Sequence, residues 1–79
     1  MVNIKILGAG CVNCRRLEAI LVKLVDENKI EAHIEKVTDF DEIVKYPILG
    51  TPGLVINEKL VSAGRIPSLT ELLNWLNGA

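Results

Sequence analysis

Hydrophobic and polar residues follow two different periods along the chain. Apolar residues alternate with polar ones over residues 2–6, a pattern that is typical of a half-buried strand. From Cys14 onward, apolar residues recur at helical spacing, which predicts a helix that ends at about Asn28. The buried face of this helix should comprise Leu17, Ile20, Leu21, Leu24 and Val25. Residues 31–37 return to extended character but are rich in charge, which favours a strand at the edge of a sheet.

A second, shorter helix is predicted after this charged strand. Asp39, followed three residues later by Glu42, resembles a capping box, in which each residue binds a backbone N–H at the start of a helix. The apolar residues of this helix should face inward: Phe40, Ile43 and Val44.

The last third of the chain predicts a hairpin and a third helix. Two segments, residues 54–56 and 59–62, flank Asn57 and Glu58, which is the pattern of a β-hairpin of two strands. Ser68 and Glu71 form a second capping box. It opens an apolar stripe of Leu69, Leu72, Leu73 and Leu76. The predicted order is strand, helix, strand, helix, strand, strand, helix.

Composition restricts the classes of protein to which the chain can belong. Its 79 residues suffice for one domain, 1–79, and 49% of them are hydrophobic, so a core of Ile, Leu and Val is available. The 9 basic and 10 acidic residues are spread along the chain, which argues against binding to nucleic acid, because that requires clustered Lys and Arg. The chain has no apparent signal peptide and no apolar stretch that could span a bilayer. We therefore expect a cytoplasmic protein with no membrane contact.

The two cysteines, Cys11 and Cys14, lie three residues apart at the junction of the first strand and the first helix. A helix N-terminus favours a thiolate because of its unpaired N–H groups and its dipole, and the thiolate is the reactive form of cysteine. Cys14 precedes Leu17 by three residues and should point inward, whereas Cys11 should be exposed. Cys11 is therefore the candidate nucleophile and Cys14 the candidate resolving thiol of a redox-active disulfide.

Other uses of the same cysteines stay open at this point. The loop from Gly8 to Cys14 also looks like the Gly-x-x-Cys-x-x-Cys loop of heavy-metal-associated domains, which hold Cu(I) between two thiolates. Those domains have two helices and end in a strand, whereas this chain is predicted to end in a capped helix. A third possibility is a redox-regulated adaptor that does not turn over.

The CxxC pair together with Thr51-Pro52 before the hairpin resembles the thioredoxin superfamily. The similarity is closest to the small prokaryotic thioredoxin-like redox-active disulfide proteins. It extends over nearly the whole chain, including residues 46–57 and 60–68. The Val12-Asn13 dipeptide differs from that of thioredoxins proper, and the first strand has Lys5 but no counterpart of their buried aspartate.

This resemblance implies a fold and a function. The fold would be a minimal thioredoxin-like α/β domain, βαβαββα, with a four-stranded mixed sheet and helices on both faces. Thr51 and Pro52 would form a loop with a cis peptide bond that binds substrate beside the disulfide. The activity would be thiol–disulfide oxidoreduction on protein disulfides through Cys11 and Cys14, without a bound cofactor. Electrons would come from a separate disulfide reductase.

Overall fold

The computed structural model describes residues 1–8, 10–48 and 50–78. Within these residues the chain forms a strand and helix sequence in the predicted order. The elements are β1 (Val2–Leu7), α1 (Val12–Glu27), β2 (Ala32–Val37), α2 (Phe40–Ile43), β3 (Gly53–Ile56), β4 (Lys59–Ala63) and α3 (Leu69–Asn77).

The strands form one mixed sheet in the order β2-β1-β3-β4. β1 pairs in parallel with β2, as a strand–helix–strand crossover requires, and β3 pairs antiparallel with both β1 and β4. The charged strand β2 lies at the edge of the sheet, as its composition predicts. Asn57 and Glu58 connect β3 to β4, and both have positive φ angles, 49° and 69°, as two-residue hairpin turns prefer.

Helices cover both faces of the sheet. Side chains alternate between the two faces along each strand, so each face has its own set of core residues. α1 and α3 pack on one face over a core of Val2, Ile4, Ile6, Leu17, Leu21, Leu24, Leu54, Ile56, Leu72 and Leu76. A smaller cluster on the other face includes a residue of α2 and comprises Leu7, Val37, Ile43 and Val55. The predicted α/β architecture with its minimal thioredoxin-like topology is confirmed.

The second helix differs from its prediction. The Asp39 side chain accepts a hydrogen bond from the Asp41 N–H at 3.0 Å, but the Glu42 carboxylate is bound to Lys45 Nζ at 3.1 Å and takes no part in a capping box. The helix is only four residues long, so only Ile43 reaches the core. Phe40 and Val44 are 73% and 56% exposed, and their assignment to the inner face was wrong.

The stripe predicted for α3 is also narrower than expected. Leu72 and Leu76, one turn apart, are buried, whereas Leu69 is 57% exposed. Leu69 is the first residue of the helix, immediately after the Ser68 N-cap, and its side chain does not reach the core. The capping box of Ser68 and Glu71 forms as predicted.

Candidate active site

Cys11 and Cys14 form a disulfide at the N-terminus of α1, with their Cα atoms 5.0 Å apart. The two sulfur-bearing residues differ in environment. Cys14 is 5% exposed and belongs to the buried residues of α1, whereas Cys11 is only partly buried. One cysteine is therefore accessible from solvent and the other faces the interior.

Cys11 is also the N-cap of α1. Its sulfur accepts a hydrogen bond from the Cys14 N–H at 3.1 Å, and its carbonyl oxygen accepts one from the Arg15 N–H at 3.0 Å. The residue type matters here, because a sulfur at the N-cap lies where the helix dipole and its unpaired N–H groups favour negative charge.

The Thr51-Pro52 segment lies beside this disulfide. The peptide bond between the two residues is cis, and Thr51 Oγ1 is 3.9 Å from Cys11 Sγ although 40 residues separate them in sequence. Thr51 is exposed and Pro52 is fully buried. All four residues that the sequence singled out are thus neighbours in the structure.

The register of the sheet explains this proximity. Leu7, the last residue of β1, pairs with Gly53, the first residue of β3. Because these strands are antiparallel, the chain leaving β1 toward Cys11 and the chain entering β3 through Pro52 meet at one end of the sheet.

Gly8 has a role that the sequence did not reveal. A Cβ atom at this position would overlap Cys14 Sγ and would lie 3.6 Å from the Cβ of Thr51. Glycine is therefore required by space at position 8, between the inner cysteine and the loop. Gly10, in contrast, has a φ of +79° and open space around it, so the turn itself requires glycine there. The sequence shows glycine at both positions, but it contains no signal that separates the steric requirement at Gly8 from the backbone requirement at Gly10.

Two basic residues border a cavity beside Cys14. A cavity of about 150 Å³ beside it is bordered by Arg15 and Lys36 among other residues, and Lys36 Nζ forms an ion pair with Glu18 Oε2 at 3.4 Å. A larger cavity, of about 370 Å³, lies near Trp75 and Lys59 at the opposite end of β3. The chemistry of the disulfide places the candidate site at the smaller cavity, and the larger one is remote from it.

A second turn contacts the Thr51-Pro52 segment. The Gly64 N–H donates to the Pro52 carbonyl oxygen at 3.0 Å. Next to it, the Arg65 guanidinium makes two hydrogen bonds to the Glu71 carboxylate, at 3.0 and 2.8 Å. These bonds, with a further one from the Ser68 N–H, lower the pKa of Glu71 to about 2.

Three further observations concern metal binding, the histidine and membrane-spanning helices. Within residues 1–8, 10–48 and 50–78, no group of three or more His, Cys, Asp or Glu side chains could hold a metal ion. His33 lies on the edge strand, with Nε2 3.9 Å from Glu35 Oε1. None of the helices in the same residues is long and apolar enough to cross a membrane.

Comparison with known proteins identifies the family. The model of the thioredoxin domain family matches residues 2–77. A thioredoxin of Methanocaldococcus jannaschii is 40% identical over 72 residues, which cover 91% of this chain and 83% of that protein. A thioredoxin of Methanothermobacter thermautotrophicus is 36% identical over 77 residues, which cover 98% of this chain and all of that protein. The chain therefore belongs to the thioredoxin domain family, and it is a thiol–disulfide oxidoreductase.

Proposed function

We propose that the protein exchanges disulfides with other proteins in two steps, with Cys11 as the attacking thiol and Cys14 as the resolving thiol. The observation that carries this assignment is the unequal environment of the two sulfurs. Cys11 is partly exposed and caps α1, whereas Cys14 is buried beneath it. A substrate disulfide can approach Cys11, and the helix N-terminus favours its thiolate.

In the first step the Cys11 thiolate attacks one sulfur of a substrate disulfide. A mixed disulfide forms, the substrate S–S bond breaks, and one substrate thiolate leaves and takes a proton from solvent. In the second step Cys14, as its thiolate, attacks Cys11 Sγ and displaces the second substrate thiolate. Two electrons have then passed to the substrate, and the protein holds the Cys11–Cys14 disulfide.

Thr51 and Pro52 are proposed as the substrate-binding loop. Among the hydrogen bonds between described residues, none involves the backbone N–H or C=O of Thr51. These groups lie beside Cys11, because the Thr51 side chain reaches the sulfur of that residue. An extended substrate segment can pair with them in the manner of an added strand, which brings its disulfide to Cys11.

A separate disulfide reductase is proposed as the electron donor, since the catalytic cycle leaves Cys11 and Cys14 oxidised. The cysteine sulfurs themselves carry the electron pair, so the proposed cycle uses no bound cofactor. We place this activity in the cytoplasm, where such a reductase keeps dithiols reduced. The two archaeal relatives support the proposal because both are named thioredoxins.

The test combines a redox titration with a turnover assay. In glutathione buffers of graded composition, the wild type should pass reversibly between the dithiol and the Cys11–Cys14 disulfide. It should also reduce insulin disulfides repeatedly when dithiothreitol serves as the electron source, whereas Cys14→Ser should not turn over.

The same preparation distinguishes the alternatives. Reversible disulfide formation without turnover on insulin would contradict the proposal and favour a redox-regulated adaptor. Retention of one equivalent of Cu(I) through dialysis by the wild type, but not by a Cys11→Ser/Cys14→Ser double variant, together with no turnover, would instead favour a metal-transfer module.

A further inference from the structure

We propose that Arg65 and Glu71 are positioning residues for substrate binding: their ion pair holds the turn at Gly64, and through that turn the Thr51-Pro52 loop, in place beside Cys11. This inference rests on the proposed role of the loop. Neither residue touches the disulfide in the contacts described above, so both would act through the loop.

The turn at Gly64 and the Thr51-Pro52 loop are in direct contact. The Gly64 N–H donates to the Pro52 carbonyl oxygen at 3.0 Å, and a Cβ atom on Gly50 would lie 3.7 Å from the Gly64 Cα. The turn after β4 therefore packs directly on the loop before β3. A displacement of this turn removes the hydrogen bond that fixes the Pro52 carbonyl group.

The turn at Gly64 is held by the Arg65 side chain. Gly64 has a φ of +75° and begins a connection of five residues, 64–68, between β4 and α3. The Arg65 side chain crosses this connection and makes two parallel hydrogen bonds to the carboxylate of Glu71 in α3. Paired bonds of this kind define the direction of the guanidinium group as well as its distance.

Glu71 is itself held in place by Ser68. Its Oε1 accepts a hydrogen bond from the Ser68 N–H at 3.1 Å, and its own N–H donates to Ser68 Oγ at 3.2 Å. Leu72 and Leu76 anchor the same helix in the core. The contacts thus run from the core through α3, Glu71 and Arg65 to the turn and the loop.

The pair lies at the surface, where it can hold the turn without being part of the core. The side chains of Arg65 and Glu71 are 51% and 39% exposed, so solvent screening limits their contribution to the stability of the fold. The pKa of Glu71, lowered to about 2 by Arg65, keeps the carboxylate ionised at neutral pH. A displaced loop, however, pairs less well with an extended substrate segment and so raises KM.

The test measures insulin reduction by Arg65→Gln and Glu71→Gln. Glutamine at position 71 retains an oxygen for the Ser68 N–H, so the capping box can persist. Each variant should raise KM about three- to fivefold with kcat nearly unchanged, as expected for the loss of one exposed paired contact. The double variant should show the same KM as either single variant, because both remove one interaction.

Lys45→Gln is the matched control, since it breaks an exposed ion pair between Glu42 of α2 and Lys45, which follows that helix. Its KM should equal that of the wild type.

Alkylation of Cys11 by iodoacetamide should proceed at the same rate in all variants, because this reagent does not need the loop. An increase in KM for Arg65→Gln alone would overturn the proposal and indicate direct contact of Arg65 with substrate. Unchanged KM in both variants would also overturn it.

A second readout separates this proposal from the proposed function. Hydrogen exchange of the Gly64 amide reports the bond to the Pro52 carbonyl oxygen without any substrate. Exchange should be faster in Arg65→Gln and Glu71→Gln than in the wild type and Lys45→Gln, and equal rates would overturn the positioning role. If the wild type fails to reduce insulin, the proposed function fails, and this measurement still decides whether the ion pair holds the turn.

Discussion

At the scale of single residues, the space beside the inner sulfur determines which residue can stand at position 8. A Cβ atom there would overlap Cys14 Sγ and would lie 3.6 Å from the Cβ of Thr51. This contact is tertiary, and no local pattern encodes it. The direction of the two sulfurs, in contrast, follows from local properties: the spacing of Cys11 and Cys14 and the helical period after them predict which one points inward.

Gly8→Ala should therefore shift the redox equilibrium toward the dithiol. The added methyl group overlaps Cys14 Sγ, which cannot move away while it is bonded to Cys11 but can rotate once the bond is reduced. An overpacking cost of about 1–3 kcal/mol that falls on the disulfide form alone raises the midpoint potential by about 20–60 mV.

The measurement is the ratio of disulfide to dithiol in glutathione buffers of known potential. Gly50→Ala is the control, because a Cβ atom there meets the Gly64 Cα at an ordinary 3.7 Å. Its midpoint should stay at the wild-type value. A lower or unchanged potential for Gly8→Ala would contradict this expectation.

At the scale of secondary structure, capping boxes illustrate what a local pattern can and cannot predict. Ser68 and Glu71 form one, whereas Asp39 and Glu42 have the same spacing and do not. The difference lies in the partner of each carboxylate. Arg65 approaches Glu71 from the preceding turn and leaves Oε1 oriented toward the Ser68 N–H, but Lys45 draws Glu42 away from the helix start. This competition for the carboxylate depends on residues that are near in space, so the spacing of the two capping residues in sequence cannot reveal it.

The start of α3 should also contribute an acid-dependent part of the stability. The pKa of Glu71 is about 2 in the folded protein, below its ordinary value of 4.5, chiefly because of the hydrogen bonds from Arg65. A carboxylate with a depressed pKa stabilises the fold above its unfolded-state pKa, and this contribution is lost as the pH falls toward the folded-state value. The free energy of unfolding should therefore decline between about pH 5 and pH 2.

Urea denaturation at a series of pH values checks this expectation. The decline should be shallower in Glu71→Gln, which has no titrating carboxyl at this position. It should also be shallower in Arg65→Gln, which removes the main cause of the shift. A decline as steep as that of the wild type in both variants would contradict the assignment.

At the scale of the whole molecule, the site is assembled from three segments that are distant in sequence. The order of elements and the parallel pairing of β1 with β2 could be predicted from hydrophobic period and crossover handedness. The antiparallel pairing of Leu7 with Gly53, which brings Cys11 to Thr51, could not. The resemblance to the thioredoxin superfamily is what predicts that Thr51 lies beside the disulfide. It does not predict the contact of Gly64 with Pro52 or the ion pair between Arg65 and Glu71.

A covalent trapping experiment tests whether Cys11 is the attacking thiol and Cys14 the resolving thiol. Reduced Cys14→Ser and reduced Cys11→Ser are each incubated with insulin, and the intact masses of the products are measured. Each variant retains one thiol, so a mixed disulfide cannot be resolved within the protein. Cys14→Ser should accumulate a one-to-one adduct through Cys11, whereas Cys11→Ser, with its thiol buried, should form little. Equal or faster trapping by Cys11→Ser would contradict this division of roles.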